Sequence, residues 1–93
     1  MTCSELRLLI TDLCPSIGFL VIPSLADNSG WILNAFTDCV NTVEVRYYDV
    51  PKFGDVQFVV KSEAMRAEWA MAHVTPMDVA NKVVDILTTR TLN

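Results

Sequence analysis

Apolar residues recur along this chain with two periods. Leu6, Leu9, Ile10 and Leu13 fall three and four residues apart, on one face of a helix, behind a Thr2/Glu5 pair spaced as a capping box. Cys14-Pro15 ends that run, because a residue before proline avoids helical backbone. The spacing predicts a helix over 3–13. Gly18, Phe19, Leu20, Val21 and Ile22 form a continuous apolar run between two proline-serine pairs. This predicts a short strand, buried on both faces or packed between the helices and a neighbour. Asp27-Asn28-Ser29-Gly30 is a turn cluster. Residues 31–40 fit either period. Trp31, Leu33 and Ala35 alternate as in a strand, while Ile32, Ala35, Phe36, Cys39 and Val40 would line one side of a helix. Both stay open, with a strand paired to 18–22 preferred.

The strongest alternation follows. Val43, Val45 and Tyr47 alternate with Glu44, Arg46 and Tyr48, and Val56, Phe58 and Val60 alternate with Gln57, Val59 and Lys61. The Asp49-Val50-Pro51-Lys52-Phe53-Gly54 loop joins them, so the pair predicts an antiparallel hairpin. One hairpin face is apolar and should meet the helices; the other is mixed and carries Tyr48 and Val59 outward. Residues 62–72 predict a helix. Ser62 is a cap, Ala64, Ala67, Ala70 and Ala72 are helix formers, Glu63 and Arg66 share one side, and Met65 and Trp69 share another. A last helix is marked by Thr75 as N-cap, Pro76 at the first position and Asp78 at the third. Val79, Val83, Ile86 and Leu87 form its apolar stripe, widened by Ala80 and Val84, with Asn81, Lys82 and Asp85 toward water. Residues 88–93 read as a β-prone tail that frays. The expected fold is one α+β domain over 1–93. A small antiparallel sheet with a central β-hairpin packs against N- and C-terminal helices.

Composition changes this picture in one respect. The 93 residues are 52% hydrophobic. A small globule has too little interior for that much apolar side chain, so some should reach the surface and meet other protein. Seven Lys and Arg stand against eleven Asp and Glu, for a net charge of −4, and the basic residues are spread out. That excludes a binder that grips phosphates through clustered positive charge. Cys3, Cys14 and Cys39 are odd in number and form no C-x-x-C pair, which fits reduced thiols in a cytoplasm. The longest uncharged stretch, 13–26, is too short for a bilayer and contains Pro15 and Pro23, and no basic leader precedes it. No membrane insertion is expected.

Candidate chemistry is sparse. His73 is the single histidine, and no local motif pairs it with a cysteine or with Ser62. It is expected at a helix end, where its charged form would suit the carbonyl dipole. The cysteines and His73 lack zinc-ligand spacing. Glu44, Asp49 and Asp55 could meet near the hairpin, without the ligand density of a calcium loop. Gly18, Gly30 and Gly54 form no phosphate loop. Tyr47, Tyr48 and Arg46 have an RNA-sheet flavour but lack the basic surroundings. We expect no enzyme, metal or cofactor. The candidate site is a protein interface formed by Tyr48, Val50, Pro51, Lys52, Phe53, Trp69 and Trp31. Phe53 at the loop tip could anchor a partner or fold back over its own hairpin.

The order of elements carries a resemblance. A first helix over 3–13 is followed by the hairpin Thr42-Val43-Glu44-Val45-Arg46-Tyr47-Tyr48-Asp49 and Asp55-Val56-Gln57-Phe58-Val59-Val60. The chain closes on Thr75-Pro76-Met77-Asp78-Val79-Ala80-Asn81-Lys82-Val83-Val84-Asp85-Ile86-Leu87. This resembles the tail-terminator and minor capsid (neck) proteins of tailed bacteriophages. The resemblance implies a structural subunit of a homo-oligomeric, hexameric ring in the virion, assembled in the host cytoplasm. Its partners would be further copies of itself and neighbouring tail or neck proteins, and its acidic lumen would let DNA pass by repulsion. The alternative is a small acidic module or inhibitor that binds a basic surface of a host protein. An enzyme using a cysteine with His73 ranks last.

Overall fold

Thr2 and Glu5 make the capping box that their spacing predicts. In helix α1 (Cys3–Leu13) the Glu5 amide donates to Thr2 Oγ1 at 3.2 Å, and the Thr2 amide donates to Glu5 Oε1 at 3.1 Å. These bonds from Thr2, backbone first and side chain second, hold the Glu5 carboxyl below the ordinary glutamate value. A depressed folded-state value means that the contribution is present above the unfolded value and lost as pH falls through the folded one. An NMR titration is therefore expected to place the Glu5 midpoint below that of the unfolded chain, with a shift of the Thr2 amide resonance across it as its bond to the carboxylate is lost. Leu6 and Ile10 point inward and are fully buried. The Cys14 amide donates to the Ile10 carbonyl at 2.8 Å, and Pro15 stops the helix.

The computed structural model describes residues 2–22, 30–37, 41–52 and 54–89, with positions 22, 51, 52 and 89 by backbone alone. After α1 come β1 (Gly18–Ile22), β2 (Gly30–Phe36), β3 (Thr42–Lys52), β4 (Val56–Ser62) and β5 (Ala67–Ala72), then helix α2 (Pro76–Thr89). The strands lie in chain order and each neighbouring pair is antiparallel. Both helices cover one face. α1 packs on α2 and on β2, and α2 packs on β3 and β4. This is the α+β arrangement expected from the sequence, with a five-stranded sheet.

Three cross-strand rows face the helices. Val21, Leu33, Val45, Val60 and Trp69 form the middle one, and Phe19, Ala35, Val43, Ser62 and Ala67 another. The third is aromatic: Trp31 lies opposite Tyr47, Tyr47 opposite Phe58, and Phe58 opposite Met71. Trp31 and Tyr47 stack with centroids 5.2 Å apart, and Tyr47 and Phe58 tilt together at 5.1 Å. Such pairs add about 0.5–1.5 kcal/mol each beyond the area they bury. Burial, helped by the charge of Asp49, pushes the Tyr47 phenol above its usual value.

Thr75 caps α2 as its sequence predicts. The Asp78 amide donates to Thr75 Oγ1 at 3.2 Å, and the Thr75 amide donates to Asp78 Oδ2 at 2.8 Å. Val79, Ala80, Val83, Ile86 and Leu87 are buried. Thr75→Ala is expected to lower stability by about 1 kcal/mol, readable as a shift in the denaturant midpoint.

Four expectations are corrected. Residues 62–72 are not a helix: Glu63 to Arg66 turn, and β5 follows. Ser62 Oγ does cap, accepting from the Met65 amide at 3.2 Å, but Arg66 adopts φ 51°, which breaks the run. Trp69 and Met71 are two residues apart, so a helix would point them to opposite sides. A strand sets both on the core face, opposite Val60 and Phe58. The loop 49–54 is mostly strand, because β3 continues to Lys52. β3 advances five residues (47 to 52) while β4 advances two (58 to 56), which makes a large bulge. β1 is an edge strand rather than one buried on both faces, since Leu20 is 64% exposed. Finally, α2 includes Thr88 and Thr89, and Thr88 Oγ1 donates to the Val84 carbonyl at 2.7 Å. Residues 90–93, the 27–29 part of the turn cluster, and 38–40 lie outside the described residues.

Candidate functional site

Alternation along each strand puts a second set of side chains on the face away from the helices. One row there is Leu20, Asn34, Glu44, Lys61 and Glu68. The next is Ile32, Arg46, Val59 and Ala70, and Phe36 lies beside Thr42. No described helix covers this face. Ile32 is only 8% exposed and lies outside the core cluster. Phe36 and Val59 are half-buried, Ala70 is exposed and Leu20 protrudes. Arg46 Nε donates to Glu44 Oε2 at 2.8 Å. That bond holds the guanidinium charge more firmly than usual, with a smaller contribution from Tyr48. Lys61 pairs with Glu63 at 3.4 Å in an exposed contact of little energetic weight. The face is apolar at Leu20, Ile32, Phe36 and Val59, and its nearby charges balance.

Among the described residues, the interface candidates Trp31, Tyr48, Val50 and Trp69 occupy different parts of the molecule. Trp31 is 6% exposed, inside the aromatic row, and leaves the set. Trp69 is half-buried against the core, with Lys82 Nζ 4.2 Å above its ring. Tyr48 sits half-buried on the open face, and Val50 is 68% exposed on the β3 bulge. Pro51 and Lys52 belong to the bulged strand by backbone, and Phe53 lies outside the described residues. Leu20, Ile32 and Phe36 were not singled out from the sequence. Their signal is apolar residues at strand positions where a wetted face would be polar, and it becomes readable only once the strands are assigned.

His73 is not at a helix end. It follows β5 with φ 55°, and its Nε2 lies 2.9 Å from Asp55 Oδ2 on the turn between β3 and β4. The pair borders a depression of about 200 Å³ with Gln57, Phe58, Met71 and Val74. A carboxylate-oriented imidazole is part of a nucleophilic site, but this lining brings no hydroxyl or thiol to it. Glu44, Asp49 and Asp55 do not gather: Glu44 holds Arg46, Asp49 acts on Tyr47 and Asp55 holds His73. Among the described residues no group of three or more His, Cys, Asp or Glu could hold a metal ion. Burial pushes the Cys3 thiol up, away from reactivity. Cys39 lies outside the described residues. No described helix is long and apolar enough to cross a membrane. Comparison with protein families, curated proteins and solved structures finds no match to this chain.

Proposed function

We propose that this chain is a structural subunit that works by protein–protein assembly, as a self-associating component of a phage tail or neck ring. The open face of the sheet supports this. Antiparallel sheets with one wetted face alternate cleanly between apolar and polar residues. Here Leu20, Ile32, Phe36 and Val59 occupy that face, and its Glu44–Arg46 pair is already satisfied within the chain. A face of this kind suits contact with another protein surface better than contact with water. The ring and its place in a particle come from the order of elements, which resembles tail-terminator and neck proteins.

Mass measurement in native buffer tests the assembly. Complexes of several copies are expected for the natural sequence. Leu20→Lys and Val59→Lys should shift the population toward smaller complexes while the far-UV circular dichroism stays the same. A single-copy mass for the natural sequence at all concentrations would reject self-assembly. Detection of the chain by mass spectrometry in purified phage particles is the expected result for the tail or neck placement. Its absence from such particles would reject that placement.

A further inference from the structure

The two edges of the sheet differ. β1 is five residues long, and the sequence sets prolines beyond it at positions 15 and 23. β5, at six residues, is hardly longer, so the difference lies in the nearby prolines, which guard an edge against pairing. β5 reads Ala67-Glu68-Trp69-Ala70-Met71-Ala72, with one charge and neither proline nor lysine. Its described neighbour is β4 alone. On the helix side it borders a groove of about 530 Å³, where Met71 and Val84 meet the carboxylates of Asp78 and Asp85 and the Lys82 ammonium.

We propose that β5 is the seam between copies: β5 of a second copy pairs with it antiparallel, making a sheet of ten strands. This rests on the self-assembly function above and adds to its open-face contact a second one at the sheet edge. A two-fold axis normal to the sheet keeps helix side against helix side, so it must pass through a residue rather than between two. Centring on Glu68 sets two carboxylates opposite each other. Centring on Trp69 brings two Lys82 ammonium groups together, since each lies 4.2 Å over its own Trp69. Centring on Met71 leaves little overlap. Centring on Ala70 sets Glu68 opposite Ala72 and Trp69 opposite Met71 of the second copy. Lys82 then rides over the seam toward the groove of that copy, where Asp78 and Asp85 outnumber its Lys82, and the axis repeats the contact. The charges complement each other on both sides. An isologous seam closes at two copies, so a ring needs the open-face contact as well and contains an even number of chains.

Cross-linking tests the register. Ala70 is exposed, so Ala70→Cys should leave the fold intact. At the centre of an antiparallel pair the two Cα atoms lie about 4.5–5.5 Å apart, within disulfide reach. Ala72→Cys places its own two Cα atoms about 14 Å apart, out of reach. With diamide as oxidant, Ala70→Cys is expected to give a covalent dimer well above the level of Ala72→Cys and the natural sequence. Lys82→Glu should weaken association about tenfold or more, and adding Asp85→Lys should restore it. If the natural chain self-associates but Ala70→Cys cross-links no better than Ala72→Cys, the seam is overturned and the assembly function stands. If the natural chain is a single copy at every concentration, both fall.

Discussion

Leu33→Ala is expected to lower the unfolding free energy by about 3 kcal/mol and the melting temperature by roughly 10–20 °C. Leu33 lies at the middle of β2, with Val21 opposite on one side and Val45 on the other, and it is fully buried. It belongs to the same core cluster as Leu6 and Ile10 of α1. Truncation removes a methine and two methyl carbons where sheet and helix layer meet, and neither layer can close the gap without moving the other. A chain of this length has a total stability of about 5–14 kcal/mol, so the loss is a large share of it. Leu20→Ala, on the open face of the edge strand, is the control and should change stability by less than about 0.5 kcal/mol. Equal chemical denaturation midpoints for the two variants would contradict the described core.

Gly30→Ala is expected to cost about 3 kcal/mol, unusual for adding one methyl group. Gly30 begins β2 opposite Tyr48, and a Cβ built there runs into the carbonyl of Tyr47. That carbonyl is backbone, held between β2 and β4, and the Tyr47 ring is fixed in the aromatic row. The methyl group can be housed only by moving β2 away from β3. Gly18→Ala gives the contrast. Its Cβ would meet the Phe36 ring at 2.7 Å, and a half-buried ring on the open face can turn aside. Gly18→Ala should remain within about 1 kcal/mol of the natural sequence, because reduced freedom in the unfolded chain offsets the crowding. Thermal melts of the two variants side by side decide the matter. A Gly30→Ala protein as stable as Gly18→Ala would mean that β2 and β3 do not approach so closely.

The elements legible in the sequence are those whose signals are local. Thr2 with Glu5, and Thr75 with Asp78, satisfy helix ends within one turn, and both boxes form. The β3–β4 hairpin follows from strict alternation on both sides of a turn. Residues 31–36 resolve as strand only because β1 and β3 flank them and supply partners on both sides. Segment 62–72 misleads because alanine content speaks for a helix, while the deciding fact is the open edge of β4, which is tertiary. The candidate interface suffers in the same way. Tyr48 and Val59 were legible as outward because they alternate with core residues. Trp31 was not legible as buried, because its row partners Tyr47 and Phe58 are distant in sequence and are set by register. Trp69 was legible as large and apolar, but Lys82 arrives over it from another element.

Strand order equal to chain order has a consequence for synthesis. As the nascent chain leaves the ribosome, each new strand finds its neighbour in the hairpin arm made just before it, so the sheet can zip from its N-terminal edge. The helix layer cannot keep step. α2 emerges after all five strands, and it is the element that packs on β3 and β4. Until it docks, Val43, Val45 and Val60 lie bare on a nearly finished sheet. That interval is when a chaperone, or a misplaced second chain, meets an apolar sheet face that the finished molecule covers.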